Sequence, residues 1–283
     1  MSQMLETAAA QRTKEALPWS LWLRQVGAIL RLELKKNLLG KRSVLLYLLA
    51  LLPFALIMAL VAFPPDEIRD PIERNVIFAN IYGGLILRTV VFFGCAWIFM
   101  NLFRGDIVDR SLHYYFLSPV RREVLVAGKY LSGLLASMLL FVTATVASML
   151  LLYLPMGGGS YLLGGAGLGQ LLSYASITAL ACLGYGAFFL VVGLFFRNPI
   201  IPALILYGWE WLNFLLPPVL KKLSVIHYLN SLSPIPISEG PFAILVEPTP
   251  VWISVPGLLF VTAMVLGLAS LQIRRMEIRY GGE

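Results

Sequence analysis

The chain has 283 residues, 59% of them hydrophobic and only 13% charged, with a mean hydropathy of +0.81. Those values exclude an ordinary soluble domain, in which about 25% of residues are charged. The net charge of +7 does not indicate nucleic acid as a partner, because that would need a basic face on a soluble fold.

In chain order, residues 1–18 form a polar tail of mixed charge. Its Ala8-Ala9-Ala10 run precedes the first apolar segment, whereas a signal-peptide cleavage site would follow one. Residues 19–42 read as an amphipathic helix. Trp19, Trp22, Leu23, Val26, Ile29 and Leu30 recur at helical spacing, with Arg24, Arg31 and Lys35 falling largely elsewhere. Such a helix lies among lipid headgroups, its tryptophans at the interface; the alternative is a cytoplasmic helix packed on a partner protein. A hydrocarbon core needs roughly 20 apolar residues per helix, and residues 43–273 contain six runs of that kind: Ser43–Phe63, Phe78–Phe103, Tyr130–Leu154, Leu168–Phe196, Pro199–Leu220 and Val251–Ile273. The sequence therefore predicts an all-α integral membrane protein, with an N-terminal interfacial helix followed by six transmembrane helices. Residues 274–283 form a basic tail.

Cytoplasmic loops carry the excess of Lys and Arg. With both termini inside, 17 of the 22 basic residues fall on the cytoplasmic side. Cys95 and Cys182 lie inside runs, where a free cysteine acts as a small apolar filler. His113 and His227 fall on opposite sides of the membrane, and neither belongs to a cluster with metal-ligand spacing. The stretch MGGGSYLLGGAGLG, Met156 to Gly169, reads as a flexible outer loop, with Gly165 and Gly169 at the GxxxG spacing of close helix packing.

The segment GDIVDRSLHYYFLSPVRREVLVAGK, Gly105 to Lys129, interrupts two apolar runs with charge, aromatic residues and proline. Val108, Leu112, Tyr115 and Phe116 make one helical stripe, and Asp106, Asp109, Arg110 and His113 make another. Asp106 and Asp109 suit a first helical turn, and Asp106 with Arg110 is an i,i+4 pair. Ser118 and Pro119 are a natural N-cap and first position for the next helix. Arg121, Arg122 and Lys129 then mark the cytoplasmic start of the third span, from which long basic side chains snorkel to the interface. A short amphipathic helix at about 105–118, joined by tight turns to two spans, is placed to be pushed by something soluble.

This arrangement, with its acid-to-LSPVRR passage, following GK and basic amphipathic N-terminal helix before six spans, resembles the ABC type-2 permeases, the membrane subunits of ATP-binding-cassette transporters. Where that family has a glutamate and Gly-Thr before the leucines, this chain has Asp109, Arg110 and Ser111. The resemblance implies a half-transporter in the cytoplasmic membrane of a prokaryote. Two permease copies, identical or related, would form the pathway, and soluble ABC ATPase subunits would dock beneath the coupling helix. It also implies a connecting helix at 19–42, a partly re-entrant outer segment at about 221–250, and export as the usual direction. ATP and magnesium would belong to the partner: G-x-x-x-x-G-K-[ST] needs Gly at Glu123 and Ser or Thr at Tyr130, so Ala127-Gly128-Lys129 is not a phosphate loop.

Two charges lie inside runs, Arg88 in the second and Glu210 in the fifth, each at about mid-bilayer by helical rise. An isolated charge there costs at least about 2.5 to 3.5 kcal/mol, so each should face a partner or water. A direct pair, within a subunit or across a dimer, is one solution; separate wet cavities are the other. Two other functional classes stand beside the transporter. One is a scaffold or sensor whose cytoplasmic helix docks a partner. The other is an intramembrane lipid-modifying enzyme, which would need clustered catalytic groups that the runs lack.

Overall fold

The computed structural model describes residues 19–41, 43–108, 115, 117, 120–155, 159–196, 198–221, 224–236 and 249–275. Helix α1 (Trp19–Leu39) turns Trp22, Val26, Ile29 and Glu33 toward the protein, one residue per turn. Gly40 ends it, its N–H bonding Lys36 O at 3.1 Å, and α2 (Ser43–Ala62) begins at once, with Ser43 Oγ donating to Gly40 O at 2.6 Å. Helix α2 is apolar all round, as a membrane-facing helix should be, and stops before Pro64-Pro65, which cannot continue it.

Asp70 then caps α3 (Pro71–Ile81), its carboxylate accepting the Ile72 N–H at 3.1 Å, with Pro71 at the helix start. The rod continues through a ten-residue π-helix, Tyr82–Val91, into α4 (Phe92–Val108). Helix α5 is Arg122–Tyr153, α6 is the short Gly159–Leu163, and α7 is Ala166–Phe195. Shorter pieces follow: α8 (Ile200–Trp211), a 3-10 turn at Leu212–Leu215, α9 (Pro218–Lys221) and α10 (Val225–Ser231). Helix α11 (Val251–Arg275) closes the bundle.

Helices α4, α5 and α7 form the centre, packed through Phe92, Phe99, Phe103, Phe141, Tyr185 and Phe189, all buried. Cys95 and Cys182 are buried there as small fillers. Helices α4 and α7 approach closely because Gly193 has no side chain: a Cβ there would sit 2.9 Å from the Cα and O of Met100. The ends of the bundle are distinct. At one, α1, the end of α4 and the start of α5 meet, and Arg122 Nη1 caps the end of α11 through the carbonyls of Ile273 (2.9 Å) and Arg274 (2.7 Å). At the other, Tyr153 stacks on Tyr161, and Arg74 donates through Nε to Ile68 O at 2.9 Å.

Among the described residues, five helices are long and apolar enough to cross a membrane: Ser43–Ala62, Pro71–Val108, Arg122–Tyr153, Gly167–Phe195 and Val251–Arg274. The expected fifth run is different. It is helical as Ile200–Trp211 and then tightens into the 3-10 turn, so its α-helical part is only about 18 Å long at 1.5 Å per residue. The break follows directly after Glu210, whose carboxylate is held by the chain that folds back at 224–226. The second and third runs extend beyond the expected limits, because Asp106 and Lys129 find partners inside the protein rather than at a water boundary. The glycine-rich stretch holds helix α6 where a flexible loop was expected, and a Cβ on Gly169 would meet nothing within 4 Å, so the GxxxG spacing makes no tight contact there.

Candidate functional site

The densest cluster of chemistry lies where α1, α4 and α5 meet. Lys129, the eighth residue of α5, is fully buried. Its ammonium donates to Glu33 of α1, to Asp106 Oδ2 of α4 at 2.5 Å, and to the Leu102 carbonyl at 2.7 Å. Glu33 and Asp106 are themselves 1% and 2% exposed. Lys36, one turn beyond Glu33 on α1, reaches the second oxygen of Asp106 at 2.7 Å from a side chain 41% exposed. Two carboxylates and two ammonium groups thus balance in charge, and each charged atom of Lys129 has a partner, as burial requires.

Tyr115 joins this cluster from the segment between the two spans. Its ring lies 5.1 Å from the Lys129 ammonium, which also lies 5.2 Å from the Phe103 ring, and its phenol is near the Glu33 and Asp106 carboxylates. Burial, and then the nearby Glu33 and Asp106 carboxylates, push the Tyr115 phenol well above its ordinary range. Ile29 lies directly against Gly128, where a Cβ would sit 3.0 Å from its methyl carbon, so the close approach of α1 and α5 brings Glu33 to Lys129.

Several expectations change. Lys129 does not snorkel; it is the centre of a buried knot, because α1 lies over it and supplies a carboxylate. Asp106 is not in the first turn of a separate helix. It closes the long second rod, and Lys129 and Lys36 are its ion-pair partners. Tyr115 faces inward rather than along a free apolar stripe, while Val108 is exposed. Asp109, Arg110, Leu112, His113, Phe116, Ser118 and Pro119 lie outside the described residues. Arg121 places its guanidinium 4.8 Å from the Trp22 ring, tying the start of α5 to α1, and Arg274 of α11 pairs with Glu123.

Comparison with family models, with curated proteins and with solved structures finds no match. Function therefore has to be read from the two groups of charges, the knot and the intramembrane residues.

Glu210 is buried at the end of α8. One oxygen accepts the Val225 N–H at 3.0 Å. The other accepts from the Ile226 N–H at 2.9 Å, Ser224 Oγ at 2.9 Å and the Tyr185 hydroxyl at 3.2 Å. The carboxylate is thus the cap of α10, supplied from a different helix, and its acceptor positions are filled without Arg88. Among the described residues the expected direct pair is not formed: Arg88 Nε and Nη2 have no hydrogen-bond partner, and Glu210 is held by Tyr185, Ser224 and the 225–226 backbone. Two apolar hollows flank α8. One, of about 690 Å³, lies against α7 and is lined by Phe188, Val192, Ile205 and Trp209; the other, of about 270 Å³, lies against α2 and α4 and includes Leu46, Phe93 and Met100.

Proposed function

We propose that this chain is the membrane-spanning half of an ABC type-2 transport system, moving its substrate outward with energy from ATP hydrolysed by separate subunits. The end of the bundle that carries Lys129 is then cytoplasmic, in line with the charge bias of the sequence, and both termini are inside the cytoplasmic membrane of a prokaryote. A second copy of the chain, or a related permease, completes the pathway.

One observation carries the reading. The segment between the second and third spans is fastened through Tyr115 to a buried ion cluster that unites three elements: the interfacial helix, the base of the second span and the base of the third. A push on that segment from a soluble partner would move these elements as a unit, because breaking one buried ion pair costs several kcal/mol. The loosely packed α8, with hollows on both sides, has room to respond. A coupling device needs both properties, stiffness where force enters and freedom where the path opens.

Affinity purification of the full chain from its native membrane tests this. The expected result is copurification of an ATPase carrying Walker motifs, whose hydrolysis is stimulated by the permease and loses that stimulation in Tyr115→Asp. Recovery of the chain with a soluble partner that binds no nucleotide would replace the transporter with a docking scaffold.

A further inference from the structure

We infer that Arg88 is a binding point for the anionic headgroup, phosphate or carboxylate, of an amphipathic substrate. Its Nε and Nη2 are buried and have no hydrogen-bond partner among the described residues. These two atoms form the side edge of the guanidinium, whose parallel N–H groups take two oxygens of a carboxylate or phosphate at once. The open edge is therefore the one suited to an oxyanion.

The apolar runs hold a single carboxylate. Of the chain's 15 acidic residues, Glu210 alone lies within an apolar run, and its oxygens already accept from Ser224, Val225, Ile226 and Tyr185. A second copy would bring only the same occupied carboxylate. The backbone around Arg88 is also unusual. The π-helix Tyr82–Val91 widens the coil, and Thr89 Oγ1 donates back five residues to Gly84 O at 3.2 Å. Such winding is rare and concentrates at functional sites. An arginine placed near the middle of a 38-residue apolar rod, with its oxyanion edge unpartnered among the described residues, discriminates by charge, while its depth in the rod requires that the charge be carried on an apolar body.

This deepens the transporter reading and rests on it for the role of the ligand as cargo, yet binding can be measured on the permease alone. The probes are dodecyl phosphate, dodecanoate, dodecanol and inorganic phosphate, added to the purified chain in an uncharged maltoside detergent, with thermal unfolding as the readout. Dodecyl phosphate and dodecanoate should raise the midpoint saturably and dodecanol should not. Arg88→Gln should weaken the anionic probes about tenfold or more, the ratio that 1.4 kcal/mol makes, and Arg88→Lys should recover only part, having charge without the fork. Without ligand, Arg88→Met should unfold at a higher temperature than the natural chain, since it removes a buried charge that lacks a partner. A lower midpoint for Arg88→Met would reveal a counter-ion within the protein and overturn the inference. So would equal protection by dodecanol or inorganic phosphate, undiminished protection in Arg88→Gln, or tighter binding in Glu239→Gln/Glu247→Gln, which would mean that the chain's own loop acids compete for the site. Failure of the ATPase copurification with success here would leave an anion-binding membrane protein that is not an ABC subunit.

Discussion

Replacing Lys129 with methionine keeps the length of the side chain and deletes its charge, leaving two carboxylates in the interior. Their fates differ. Asp106 retains Lys36 at 2.7 Å, a partner in contact with solvent, whereas Glu33 loses the ammonium it pairs with and stays 1% exposed. Breaking a buried pair from one side commonly costs about 3 to 5 kcal/mol, and most of that should come from Glu33. Removing Glu33 as well, as Lys129→Met/Glu33→Leu, takes away the stranded charge, so the double variant should be no less stable than Lys129→Met and should fall short of the sum of the singles by about 1 to 3 kcal/mol. Lys129→Met/Asp106→Leu should recover less, because Asp106 was never stranded. Reversible unfolding in mixed detergent micelles, followed by far-ultraviolet circular dichroism, gives the required free energies. A loss under about 1 kcal/mol for Lys129→Met, or strict additivity with Glu33→Leu, would show that the three groups do not act as a buried unit, and the stiffness assigned to this corner would go with them.

Tyr115→Phe keeps the ring over Lys129 but removes the hydroxyl near Glu33, and should cost about 1 kcal/mol in the same assay, with a larger fractional loss of ATPase stimulation than of stability. Glu210→Ala strands the Ser224 hydroxyl and the first N–H groups of α10, so it should destabilise by about 2 to 4 kcal/mol; combined with Arg88→Met the effects should add, since the two side chains are not bonded, and a non-additive cycle would restore a direct pair. Gly193→Val puts branched carbon where Met100 backbone stands at 2.9 Å and should lower the unfolding midpoint, at a cost of about 1 to 3 kcal/mol. Single cysteines at Glu73 and Glu247 should label with an impermeant reagent in intact cells while one at His113 does not; the reverse would invert the assigned orientation.

Apolar run length made the five long helices legible. Run length failed at 199–220, because the number of apolar residues is the same whether a helix continues or breaks, and the cause of the break lies 14 residues ahead, where Ser224 bonds Glu210. The knot was half visible. Glu33 stands four residues after Ile29, on the inward stripe of an otherwise basic helix, and Lys129 stands among small apolar residues; each is an anomaly that calls for a partner. What the sequence could not supply was the closeness of α1 to α5, which depends on Gly128 facing Ile29. Arg88 and Glu210 were conspicuous by their depth, but depth identifies a charge and not its partner. Half of the partners of Glu210 are backbone N–H groups, which leave no mark in composition.

The ten π-wound residues also hold slack in the second span. A π-coil packs more residues into each turn than the 3.6 of an α-helix, so the same ten residues, rewound as α-helix, would reach about 15 Å and stand taller than they do now. Rewinding would push the Pro71 end of the rod away from the Asp106 end and rotate one about the other, without breaking the chain of main-chain hydrogen bonds for long. A span with such a reserve of length can meet bilayers of different thickness by changing its winding, where a plain α-helix must tilt or deform the lipid around it.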